Sequence, residues 1–111
     1  MFTRSILLAS LGVVLGGCQP EAPSAEVTGS KGYALAQQNG CFSCHEIDTE
    51  SYCPKWRDIA NRYRGDGGAE ARLTGKIAAG GNGVWGEMLM PPHPQIGEDD
   101  RRTMTKFILS L

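Results

Sequence analysis

The segment NGCFSCHEID, residues 39–48, holds two cysteines two residues apart with a histidine directly after the second. Three chemistries use such a triplet: a redox dithiol, half of a zinc site, or the attachment point of a haem. The surrounding chain has to decide among them.

The chain has 111 residues, four Cys, two His and a formal net charge of -1, which leaves room for one domain. Upstream of the cysteines, Gly32, Leu35 and Ala36 share one side of a short helical stretch that Asn39 and Gly40 stop just before Cys41. Downstream, Trp56, Ile59, Ala60 and Tyr63 keep helical spacing, with Pro54 where a helix start tolerates it. Ala69, Leu73 and Ile77 predict a third helix, in which Gly75 costs up to about 1 kcal/mol relative to Ala. Met104, Phe107, Ile108 and Leu111 form the stripe of a fourth, and Glu98, Asp99 and Asp100 crowd its start, where the helix dipole favours negative charge. Strand signals are absent. The expected fold is all-α, about four short helices, and with 15 Gly and 6 Pro its apolar core is thin. A head this small needs a staple, a metal or a cofactor.

A thioredoxin-like dithiol calls for a strand before the motif and a βαβ context, and neither is present. A zinc site draws on Cys41, Cys44, His45 and Cys53, but two adjacent ligands make poor tetrahedral geometry. Covalent attachment of one haem c fits better. The thiols of Cys41 and Cys44 add to the vinyl groups, His45 turns its imidazole to the iron, and a large flat apolar group supplies the missing core.

The N-terminus points to export. Arg4, the apolar run Ile6 to Leu15 and small residues before Cys18 read as a signal peptide, and the run is too short to span a bilayer. The ending LGGC resembles the lipobox of bacterial lipoproteins, which implies a signal peptide over residues 1–17 and a lipid on Cys18. Residues 18–30 then form a flexible tether reaching roughly 40 Å when extended, and residues 31–111 the globular domain. Gln19 after the cysteine resembles lipoproteins sent to an outer membrane. The location implied is the periplasmic side of a bacterial membrane; the rival is an ordinary signal peptide cut after Ser24 and a soluble periplasmic protein. Loss of Arg4 leaves the head slightly acidic, and nothing points to nucleic acid.

From about residue 30 onward the chain resembles the short bacterial class I monohaem cytochromes c, through CFSCH, CPKWRDIANRY and the methionine loop NGVWGEMLMPPH. The resemblance implies Cys41 and Cys44 as thioether links, His45 as proximal ligand and Met90, before Pro91 and Pro92, as distal ligand. It implies that the Pro54 carbonyl accepts the His45 ring proton, that Trp85 hydrogen-bonds one haem propionate and that Lys76 pairs with the other. A neutral thioether paired with His favours Fe(II) and a relatively high potential. Met88 is the rival ligand, read here as a packing residue.

Two positions depart from the family. Cys53 stands where Gly is usual before the proline, leaving an odd thiol that is either a small buried side chain or a redox-sensitive one. His93 stands where Asn is common and reads as a loop hydrogen-bonding residue. Arg57, Arg62, Arg64 and Arg72 read as solvated helix faces, and Tyr33 and Phe107 as packing between the first and last helices. The implied function is one-electron transfer without enzymatic activity or a small-molecule substrate. The implied partners are redox proteins: a quinol:cytochrome c reductase upstream, an oxidase or periplasmic reductase downstream, and the membrane through the anchor. The rival function is a haem sensor or peroxidase-like enzyme with a labile distal ligand; beyond His45 and His93 the chain has no further His to serve as a distal acid-base group.

Overall fold

The computed structural model describes residues 12, 13, 16–18 and 21–111, so most of the expected signal peptide lies outside the described residues. Five α-helices follow one another: α1 (Ala25–Thr28), α2 (Lys31–Gln38), α3 (Trp56–Arg62), α4 (Ala69–Ala79) and α5 (Glu98–Leu109), with a 3-10 turn at Cys41–Ser43. The described residues contain no strand, only an isolated antiparallel bridge between Gly81 and Met90. None of these helices is long and apolar enough to cross a membrane.

The four expected helices are α2 to α5, and α1 is an addition. It lies inside the segment read as a tether, where the Ser24 side chain caps the turn by accepting from the Val27 N–H. Val27 is partly buried against the apolar core, so this end of the segment is docked on the head. Four residues are too few for an autonomous helix, and the Val27 contact supplies what local propensity does not.

The core forms where α2, α3 and α5 converge. Ala36 is fully buried and Trp56 is 2% exposed. An aromatic cluster joins the cysteine motif to three helices: Phe42 stands 4.9 Å from both Tyr33 and Trp56, and Phe107 meets Tyr33 and Trp56 edge-on. The Tyr33–Phe107 contact is therefore the packing expected between the first and last long helices. A second cluster, Ile77, Ile96 and Met104, joins α4 to α5, and Cys41 packs against both clusters. The Thr74 and Thr105 hydroxyls meet inside the α4–α5 interface at 3.2 Å, and Arg101 donates to the Thr74 carbonyl at 2.9 Å. Each polar group in that interface thus finds a partner.

Gly32 shows why α2 and α5 pack so closely. A Cβ there would lie 2.7 Å from the Phe107 Cγ and 3.2 Å from the Thr103 carbonyl oxygen. Gly32→Ala gains helix propensity, yet the forced separation is expected to outweigh it, for a net loss of about 1–3 kcal/mol read as a lower denaturation midpoint.

The C-terminus is tied to α3 by Arg57, which donates to the Leu111 carbonyl at 3.0 Å and pairs with Asp48. The Arg57 guanidinium holds the Asp48 carboxyl below its usual value of 3.8. The pair's contribution is therefore complete above that pH and lost as pH falls through the lowered value. Both side chains are partly solvated, so Asp48→Asn is expected to cost only about 0.5 kcal/mol at neutral pH. The difference between the two proteins in acid titrations of stability should vanish at the acid end.

Candidate functional site

Three backbone bonds fold the loop after the cysteines back on itself. Cys53 N–H donates to Cys44 O at 3.1 Å, Trp56 N–H to Glu46 O at 2.9 Å and Arg57 N–H to Ile47 O at 3.1 Å. These bonds turn the chain back so that Pro54 faces His45. His45 Nδ1 lies 2.9 Å from the Pro54 carbonyl oxygen. A carbonyl can only accept, so Nδ1 carries the ring proton and Nε2 keeps a free lone pair. Burial lowers the His45 pKa, against the opposing effect of the Pro54 bond, which keeps the ring neutral as a metal ligand must be.

His45 borders a cavity of about 380 Å³ whose other walls include Cys41, Ile59, Ile77, Met90 and Met104. The walls are mostly apolar and come from α3, α4, α5 and both loops. The two residues expected as iron ligands therefore line one cavity from separate segments, together with one of the two expected thioether cysteines. Cys44, the other, sits at the end of the 3-10 turn, where its own N–H bonds to Cys41 O at 3.3 Å. A flat apolar group carrying a ligand-accepting metal fits this donor set, a neutral imidazole nitrogen and a thioether facing an oily space. A zinc cage does not: no group of three or more His, Cys, Asp or Glu gathers among the described residues.

Trp85 and Lys76 also line the cavity. Trp85 is 41% exposed, and Lys76 forms no ion pair among the described residues. Arg62 is exposed on α3, as its reading as a solvated helix residue requires, but it does more than face solvent. Its guanidinium lies over the Trp85 ring, 4.6 Å from the centroid, and donates to the Val84 carbonyl at 3.1 Å. It tethers the GVWG loop to α3 by a cation–π contact that helical spacing does not disclose.

Met88 is 60% exposed at the cavity mouth and is not the packing residue expected. With Tyr52 and Val84, which line the same cavity, it forms an exposed apolar rim. Cys53 is half-buried on the cavity wall beside Cys44, and partial burial together with the Cys44 thiol pushes its pKa up. His93 makes its loop bonds through its backbone N–H, while its buried Nδ1 has no protein partner.

Comparison with known proteins agrees with this geometry. The family profile for cytochrome c matches residues 29–111. The chain is 40% identical over 77 residues to cytochrome c-551 of Allochromatium vinosum, covering 69% of this chain and 82% of that one. It is 32% identical over 108 residues to cytochrome c-551 of Stutzerimonas stutzeri, covering 97% of this chain and 98% of the relative. The crystal structure of wild-type Nitrosomonas europaea cytochrome c552 superposes with a TM-score of 0.67 at 37% identity, covering 70% of this chain and 96% of that chain. An all-helical head, a Cys-x-x-Cys-His motif at an apolar cavity and these relatives lead to one conclusion: the chain belongs to the cytochrome c family, as a short class I member that binds a single haem covalently and carries electrons.

Proposed function

We propose that this protein is a one-electron carrier whose haem iron is held by His45 and Met90, and that both axial positions stay filled in the two oxidation states. The observation that carries the reading is the His45–Pro54 hydrogen bond, which leaves Nε2 as the free donor in a cavity that Met90 also lines. The bound haem supplies the reversible Fe(III)/Fe(II) couple. The chain's contribution is to hold a neutral imidazole and a thioether in fixed positions and to exclude water with Ile59, Ile77 and Met104. The thioether favours Fe(II), and Pro91 and Pro92 stiffen the backbone behind it, so little reorganisation accompanies electron movement.

Cys41 and Cys44 are assigned to the thioether links. Trp85, with Arg62 stacked on it, and Lys76 are assigned to the two propionates. The apolar rim of Tyr52, Val84 and Met88 suits brief docking of redox proteins, since a small apolar contact releases its partner readily. A quinol:cytochrome c reductase as donor and an oxidase or periplasmic reductase as acceptor fit this role. Among the described residues no catalytic pair stands beside the proposed distal ligand, which favours a carrier over a peroxidase or gas sensor.

We assign Cys18 as a lipid attachment site on the periplasmic side of a membrane. Cys18 is exposed, and the docked α1 leaves residues 18–24 as the spacer.

Two measurements test this reading. The oxidised parent is expected to show the far-red charge-transfer band of iron–thioether ligation, and the reduced parent to bind no carbon monoxide. Met90→Ala should lose the band and bind carbon monoxide, whereas Met88→Leu should do neither; the reverse pattern would hand the ligand role to Met88. Cells fed radiolabelled fatty acid should incorporate label into the parent and none into Cys18→Ala, and an unlabelled parent would leave a conventionally cleaved protein.

A further inference from the structure

Met90 must present its sulfur from a loop that has no regular secondary structure, so something else has to fix its backbone. Its side chain packs against Ile77, Ile96 and Met104, but its backbone is bonded at the C-terminal end of α4. There the last helical carbonyls need donors from outside the helix. The His93 N–H supplies one, lying 3.0 Å from Ile77 O and 3.2 Å from Ala78 O. Two residues on from the helix end, Gly81 exchanges both backbone bonds with Met90: Gly81 N–H to Met90 O at 2.9 Å and Met90 N–H to Gly81 O at 3.0 Å. The segment 90–93 is thus pinned at both ends against the helix terminus, and Gly80 lies between the pins.

Gly80 is in contact with the pinned segment through its missing side chain. A Cβ there would lie 2.8 Å from Pro91 C and 2.8 Å from Pro92 N, and nearer still to the Met90 carbonyl oxygen. Its φ of 65° and ψ of -154° also belong to a region that residues with a Cβ rarely enter. All three opposing atoms are backbone, two of them in prolines whose φ is locked, so a side chain at 80 has no flexible neighbour to displace. The strain has to move the Met90 backbone.

The geometry points to Gly80 as the residue that positions the Met90 thioether, by letting the chain at 90–92 lie flush on the end of α4. The inference rests on the reading of Met90 as the iron ligand and adds what fixes it. It also separates Gly80 from its neighbours. At Gly81 a Cβ would meet only Lys76 Nζ, the far end of a long side chain, at 3.1 Å, and at Gly83, φ 100°, it would meet nothing within 4 Å.

The test compares Gly80→Ala with Gly83→Ala in the haem-loaded protein. Both carry the penalty of a Cβ at positive φ, but only the first intrudes on Met90. Gly80→Ala is expected to lose the far-red band, bind carbon monoxide when reduced and fall in reduction potential. Gly83→Ala should keep all three properties while losing thermal stability. A Gly80→Ala protein that keeps the band and the potential, or a Gly83→Ala protein that loses them equally, overturns the inference. Should Gly80→Ala fail to accumulate, amide exchange of the reduced parent decides: the Met90 and Gly81 amides are expected to be protected together with α4, and free exchange at Met90 overturns the clamp. A parent lacking the band removes the Met90 assignment and the inference with it.

Discussion

A single hydrogen bond, from His45 Nδ1 to the Pro54 carbonyl, sets the orientation on which the site depends. It determines which ring nitrogen is free, and it works only because three backbone bonds fold residues 44–57 back on themselves. The same fold brings Trp56 into the aromatic cluster that holds α2, α3 and α5 together. Ligand orientation and core packing are therefore one constraint: Trp56 closes the core on one side and stands 5.7 Å from the His45 ring on the other.

The proposed second ligand is placed by a different means. Met90 has no helix of its own, and the end of α4 serves as its template through Gly81 and His93. One proposed ligand hangs on a proline carbonyl next to the motif, the other on the capping of a distant helix. The cavity that both line is also walled by α3, α4 and α5, so any loosening of helix packing acts on both proposed ligands at once. That coupling suits a carrier, because iron ligands held by a packed scaffold change little when charge changes.

Much of this was legible in sequence. The motif Cys41, Cys44 and His45 names its chemistry once the helical context has set aside a dithiol and a zinc site, and the stripe Met104, Phe107 and Ile108 becomes the buried face of α5. The helices α2 to α5 follow from local periodicity, because burying one face of a helix demands apolar residues three and four apart. The expected Pro54 contact appears as drawn, with the Cys53 substitution accommodated on the cavity wall. What was missed lies in pairings between segments far apart in the chain. Arg62 on Trp85, Val27 docked on the core and Met88 turned outward leave no periodic trace, since each depends on which loop arrives beside which helix.

The sequence by itself determined the helical class, the haem-binding chemistry and the identity of the ligand candidates, because residue type and short spacing dictate what a side chain can bond and which face it shares. Tertiary structure alone decided how those candidates are held. Only the folded chain brings Gly80 against Met90, joins α1 to the head and seats Arg62 over the indole, because contacts across tens of residues come from packing and backbone closure rather than from any local preference.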